Sequence, residues 1–364
     1  MIRPSLFRRL ALVCVAVLAV SACGDDDAAS PADDPSADSG AVEEVTITLV
    51  THDSFDISES VLEEFTADTG ITVELLAGGD AGTALNQAIL TKDNPQGDVL
   101  FGVDNSFLSR AFEEDLFVPY ESPALDDVDP EVQLDDQHRV TPIDTGDVCL
   151  NYDRAALDEA GLTPPETLDD LLYPSLAGTL VVENPATSSP GLAFLLATVD
   201  EYGEDGWQDY WRSLVDNDIE VAAGWEEAYY GSFSGAAGSE GDRPIVVSYA
   251  SSPPAEVIFA EEPLDEAPTG VVVDTCYRQI EFAGILQGTD HEAEAGQLID
   301  FMLSETFQAD IPLNMFVYPV IDVELPPEFV EYGAQPEDPY LVDADTVAEN
   351  RDDWIEEWTE IVLR

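Results

Sequence analysis

The sequence predicts an α/β fold of two lobes, each a doubly wound sheet flanked by helices, joined by two crossing strands. Three observations carry this expectation. Short apolar runs alternate with helical patterns from position 45 onward, and such a series implies parallel sheets. A second alternation begins after Pro142. The chain passes between the two near 145–148 and near 273–280, and a cysteine falls at each crossing, Cys149 and Cys276.

The elements follow in order. Segment 45–50 (VTITLV) is almost continuously apolar, as a strand covered on both faces should be. Val61, Leu62 and Phe65 recur at helical spacing over 58–69, and Gly70 closes that helix. A strand over 71–76, a helix over 82–91, a strand over 98–103 (DVLFGV) and a helix over 106–113 complete the first series. Beyond Pro142 come a strand at 147–152 (DVCLNY), a helix closing over 157–161, a strand at 178–183 (GTLVVE) and a helix from Pro190. A strand at 245–249 (IVVSY) and a helix from Pro253 precede one long strand over 271–282. Ala295, Leu298, Ile299 and Met302 mark one face of an amphipathic helix over 292–307, and a last helix lies around 354–363. Trp207, Trp211, Trp354 and Trp358 are assigned to packing. The expected lobes are 45–146 with 278–364, and 147–277.

The N-terminus reads as an export signal over 1–22. Arg3, Arg8 and Arg9 precede an apolar stretch over 10–20, too short to span a bilayer comfortably. It closes on Val20-Ser21-Ala22-Cys23, which resembles a bacterial lipobox and implies cleavage before Cys23 and lipid on its sulfur. A plain secretory peptide is the alternative. Residues 23–44, rich in Asp, Ala, Ser and Pro, cannot bury enough surface to offset their ordering entropy and read as a disordered acidic tether.

The charge excludes several partners. The chain holds 77 acidic and 12 basic residues, with Lys92 the single lysine. Nucleic acid and anionic lipid surfaces are therefore poor partners. Self-repulsion on this scale suits a salty external medium, where screening shortens its reach. Cys14 leaves with the signal. Cys149 and Cys276 remain as an even pair in an oxidising compartment, which reads as a disulfide tying the hinge, with two buried free thiols as the alternative.

Short polar and aromatic segments follow the strands: Thr51-His52-Asp53-Ser54-Phe55, Asp104-Asn105, Thr187-Ser188-Ser189-Pro190-Gly191, Gly224-Trp225, Ser248 to Pro253, and Phe316-Val317-Tyr318-Pro319. Ligands of open α/β sheets bind at strand ends. Aromatic faces and carboxylates together suit a small, flat, cationic molecule. The histidines His52, His138 and His291 lack metal-ligand spacing, and Phe233 occupies the centre of the only GxSxG-like stretch. Asp144 and Asp147, near the hinge, are the acids an enzyme reading would pair. No catalytic, metal or cofactor site is expected.

These segments, with NPATSSPG, AGWEEAY and the terminal WIEEW, resemble the thiamine-binding lipoproteins and periplasmic proteins of bacterial ABC importers, of the type II periplasmic-binding fold, from Val45 to Arg364. The resemblance implies ligand contacts at Asp80, Ala81, Ser188, Ser189, Trp225 and the run Tyr249, Ala250, Ser251, Ser252. His52 stands where better-known members have Tyr, and Phe316 where they have a stacking Trp. Asp53, Asp80 and Asp104 supply carboxylates for a thiazolium, and Asn105 can read pyrimidine nitrogens. Ser188 and Ser189 at a helix start suit a phosphate, or serve only as a helix cap. The implied protein is a monomer on the outer face of the cell membrane, held by lipid alone, that delivers thiamine or thiamine phosphate to a permease with a cytoplasmic ATPase. Polyamines and ferric ion are the alternative cargos. An exported hydrolase is the alternative class, and a purely structural surface protein would not need these strand-end motifs.

Overall fold

A computed structural model describes residues 45–260, 264 and 266–364. The export signal, Cys23 and the tether lie outside the described residues. The chain runs β1 (Val45–Thr51), α1 (Glu59–Thr69), β2 (Ile71–Ala77), α2 (Ala81–Leu90), β3 (Val99–Asp104), α3 (Leu108–Glu113), β4 (Phe117–Val118) and β5 (Thr141–Thr145). It then enters β6 (Val148–Asp153), α4 (Arg154–Ala160), β7 (Leu180–Glu183), α5 (Ser189–Tyr202), α6 (Trp207–Asp216) and β8 (Glu220–Ala222). A π-helical turn (Glu227–Ser232), β9 (Ile245–Tyr249), α7 (Ser252–Ile258) and β10 (Thr269–Tyr277) follow. The chain ends with β11 (Ile280–Leu286), α8 (Glu292–Met302), α9 (Glu305–Asn314), β12 (Tyr318–Pro319), α10 (Pro327–Tyr332) and α11 (Ala344–Val362).

Two sheets organise these elements. The first has the order β12-β5-β11-β3-β1-β2, with β4 also paired to β11. The second has the order β10-β6-β9-β7-β8. β1 runs parallel to β2 and β3, and β7 runs parallel to β8 and β9, as the alternating pattern predicts. The later strands join antiparallel: β11 beside β3, and β6 beside β9. β3 and β11 are buried along their whole length, because helices cover both sheet faces.

The crossings lie where the sequence places them. The chain leaves the first sheet at Gly146-Asp147 and returns at Arg278-Gln279, where Arg278 Nε donates to Asp147 Oδ1 at 2.5 Å. The long strand expected over 271–282 is therefore two strands that belong to different sheets. The helix expected over 292–307 is also two, because the Ser304 side chain accepts the Phe307 N–H and starts α9 anew. Cys149 and Cys276 form a disulfide, with Cα atoms 4.1 Å apart. The bridge joins β6 to β10 inside the second sheet, at an irregularity in their register, with Cys149 just after the first crossing and Cys276 just before the second.

Trp207, Trp211 and Trp358 are fully buried and Trp354 nearly so, with Trp211 and Trp358 in edge contact at 5.4 Å. α11 reaches α6 through that contact and α3 through Arg351, whose guanidinium lies over the Phe107 ring. Among the described residues, no helix is long and apolar enough to cross a membrane.

Candidate functional site

The C-terminal ends of the parallel strands of both sheets face one another across a cavity of about 370 Å³. That volume suits one small molecule. From the first sheet, His52 and Asp53 follow β1, Asp80 and Ala81 open α2, and Glu281 stands on β11. From the second sheet, Ser189 opens α5, Trp225 and Glu226 precede the π-helical turn, Tyr249 ends β9 and Ser252 opens α7. Phe316, in the turn before β12, closes one end.

Local rules explain these positions. Gly102 on β3 has φ of 94°, and a Cβ there would collide with the His52 ring, so glycine lets the imidazole lie flat on the sheet. Asp80 caps α2, accepting the Ala81 N–H at 2.7 Å. Its other oxygen crosses the cleft and accepts the Trp225 N–H at 2.8 Å. Gly224 permits that approach, since a Cβ would sit 2.7 Å from the same oxygen. Trp225 stacks on Tyr229 at 5.0 Å, meets Tyr249 edge-on at 6.2 Å, and donates its Nε1–H to Ser248 Oγ at 2.9 Å. The indole is thus held from three sides with one face against the cavity. π-helical turns mark functional sites often, and this one carries the Tyr229 ring beneath the tryptophan. Phe316 has φ of 55°, a left-handed conformation that costs a bulky side chain on the order of 1–3 kcal/mol. Its ring packs between Phe259 of the second lobe and Phe329 of α10, at 5.2 and 6.2 Å.

The electrostatics of the cavity are dominated by acids, of which Glu281 is buried and Asp80 half-buried. Burial pushes the Asp80 carboxyl up, against the hydrogen bond from Trp225. Burial likewise raises Glu226, helped by Asp53 and Asp80. Burial opposes charge on His52, but Glu281 at 3.6 Å, with Asp80 and Asp53, reverses the balance and raises its pKa above the usual 6.5. The site is therefore a polar cup with an aromatic wall and an excess of negative charge.

Five of the residues named from the sequence stand behind the lining rather than on it. Asp104 is buried under the floor, where its carboxylate accepts hydrogen bonds from Ser106 and, across the cleft, from Ser189. Burial pushes its pKa up to about 6. Asn105 is spent on the hinge, donating to the Arg278 carbonyl and accepting the Ile280 N–H. Ser188 is buried beside Asp80. Ala250 packs on the disulfide, and Ser251 is buried at the start of α7.

A family model described as bacterial extracellular solute-binding protein matches residues 94–339. The chain belongs to this family. This solute-binding protein is 31% identical over 322 residues to the thiamine-binding periplasmic protein of Escherichia coli (strain K12), across 87% of this chain and 94% of that relative. It is 30% identical to the thiamine-binding periplasmic protein of Salmonella typhimurium (strain LT2), with the same coverage. A solved periplasmic thiamin binding protein superposes with a TM-score of 0.77 at 28% identity, over 89% of this chain and 98% of that one. The family is one of solute-binding transport proteins rather than enzymes, and the neighbours share the two-lobed type II periplasmic-binding fold.

Several lining residues of this solute-binding protein escape a reading by motif. Phe259, Asn314 and Met315 lie on helices or at their ends, where nothing in the local pattern separates a cleft face from a packing face. Glu281 had a visible signal: it is the one charged residue in a seven-residue strand, IEFAGIL, that is otherwise apolar.

Proposed function

We propose that this protein captures thiamine by closing its two lobes, 45–146 with 278–364 and 147–277, and hands it to an ABC permease driven by a cytoplasmic ATPase. The observation that carries the reading is the pairing, in one cavity, of a fixed indole face at Trp225 with carboxylates at Asp53, Asp80 and Glu281. A thiazolium needs both, since a cation over an indole gains ~0.5–2 kcal/mol and more when desolvated. Thiamine-binding relatives along nearly the whole body support the same cargo. The bonds from Ser189 to Asp104 and from Trp225 to Asp80 already bridge the cleft, as hinge closure requires.

The start of α5, suited by sequence to a phosphate, lies against the Asp104 carboxylate. That favours the unphosphorylated vitamer over thiamine phosphate. Ferric ion would want paired tyrosines, for which the sequence offers Tyr229-Tyr230; it is disfavoured because the Tyr229 hydroxyl donates to Glu256 at 2.8 Å and burial pushes its pKa far above the usual value, away from phenolate. Cys23 is the proposed lipid site that holds the monomer to the outer face of the membrane. Titration calorimetry with thiamine, thiamine phosphate and spermidine tests the reading. One-to-one binding of thiamine with weaker phosphate binding is expected. Heat from spermidine alone would move the cargo to polyamines.

A further inference from the structure

Glu281 is the centre of a row of acids that crosses the first sheet. Its ladder partner on β5 is Asp144 and its ladder partner on β3 is Asp104. In-register neighbours project to the same face of a sheet, so the three carboxyls stand side by side. They are 0, 5 and 1% exposed for Asp144, Glu281 and Asp104. Such a row is costly unless protons or cations divide it. Asp104 is accounted for by its hydrogen bonds from Ser106 and Ser189. Asp144 receives no hydrogen bond from a donor group, and the polar group it faces is Glu281. Burial, with Glu281 beside it, pushes Asp144 well above the usual carboxylate range.

Among the described residues, Glu281 has one ion-pair partner, His52, whose Nε2 lies 3.6 Å from Oε2. Gln279 donates weakly to the other oxygen, at 3.4 Å. Glu281 also lines the cavity, so the carboxylate that meets His52 is open to a second cation. The other groups facing it are negative or neutral. Asp53 follows β1, Asp80 opens α2, Glu226 comes from the second lobe, and the Tyr249 phenol on β9 is held neutral by burial.

We propose that Glu281 is the counter-ion for the positive charge of the cargo, and that loading expels protons held beside it on His52 and Asp144. The proposal rests on the thiamine reading above and deepens it. An imidazolium and a thiazolium repel one another when both sit against one carboxylate. The imidazolium can discharge by losing its proton to solvent, and the thiazolium, being quaternary, cannot. The cation also lowers the affinity of Asp144 for its proton. No covalent bond of the cargo changes.

The test is calorimetry of the purified protein at pH 7.5 in buffers of different ionisation heat. The ligands are thiamine and deazathiamine, the uncharged isostere that keeps the aminopyrimidine and replaces the thiazolium by a thiophene. Thiamine should release roughly half to one proton per site, and deazathiamine close to none. Glu281→Gln should weaken thiamine about 10- to 100-fold and deazathiamine less than about threefold. His52→Gln should bind thiamine with most of the proton release gone. If both ligands bind with equal proton counts, or Glu281→Gln weakens both equally, the counter-ion role is overturned while the thiamine reading stands. If neither binds the unaltered protein, the thiamine reading falls and takes this proposal with it. Should Glu281→Gln fail to fold, the proton counts on the unaltered protein decide alone.

Discussion

The first sheet contributes an ionic wall to the cleft: Asp53, Asp80 and Glu281 line it, with Asp104 and Asp144 beneath. The second sheet contributes an aromatic wall, Trp225, Tyr229, Tyr230 and Tyr249, with one acid, Glu226. The aromatic wall is braced by ring stacking and by hydrogen bonds to Ser248 and Glu256. The ionic wall is braced by hydrogen bonds that Asp104 accepts from Ser106 and Ser189 and that Asp80 accepts from the Ala81 and Trp225 N–H groups. Two chemically distinct walls that meet only on closure read a flat ring and its charge independently. A ligand that satisfies one wall alone holds the lobes less firmly.

The largest expected effect separates the walls by stability. The Cys149–Cys276 bridge spans 127 residues of sequence, which is worth about 5 kcal/mol in the chain-entropy model. It lies wholly within the second sheet. Thermal melts with and without reductant should show a large loss of stability, while thiamine affinity of the still-folded reduced protein stays within about threefold. Loss of binding before unfolding would show that the bridge sets the hinge rather than the sheet.

The ionic wall should reveal itself next, through pH. Asp104, Asp144 and Glu183 have raised pKa values through burial, and His52 is raised by Glu281 against its burial. Each group holds its proton more tightly folded than unfolded. For Asp104 the resulting stability is fully present below about pH 4 and is lost as pH rises through about 6. For His52 it is present below its unfolded value of 6.5 and lost above its raised folded one. The melting temperature should therefore fall by several degrees, roughly 3–6 °C, from pH 5 to pH 8. A rise over that window would mean the row is ionised in the folded protein.

Trp225→Ala tests the aromatic wall directly. It removes the stack on Tyr229 and the cation–π face, and should weaken thiamine about 100-fold in calorimetry. Asp80→Asn tests the seam between the walls. It keeps the cap on α2 but weakens the charge-assisted bond to the Trp225 N–H, for about 10-fold in affinity, seen mainly as faster release in stopped flow. Phe259→Ala, at the mouth, should cost less than about fivefold, because that ring is half exposed and meets Phe316 in a tilted contact. An effect as large as that of Trp225 would make the mouth a third wall.

The strands, their order of appearance and the two crossings were legible because period and apolar runs are local properties. β1, β3, β7 and β9 read as continuous buried runs, and β9 is bounded as the sequence has it. Where two elements abut without a breaker, the reading merged them: β10 with β11, and α8 with α9. Ser304 is a cap only because its side chain meets Phe307, and Arg278 is a crossing only because the next strand finds another sheet. At the site, His52, Asp53 and Trp225 stand out as strand-end residues of unusual chemistry and Asp80 through the family resemblance, and all four line the cavity.

By itself, then, the sequence determined the layered α/β architecture, the aromatic and acidic character of the strand ends, and a cysteine pair placed at the crossings. Each follows from residue type at a given position. Only the tertiary structure decided which acids face the cavity and which lie beneath it. Ladder register put Glu281 between Asp144 and Asp104, residues 137 and 177 positions away, and β1 brought His52 to its open side. The energy of a buried charge depends on what stands within a few ångströms of it, and that neighbourhood is set by which strands pair.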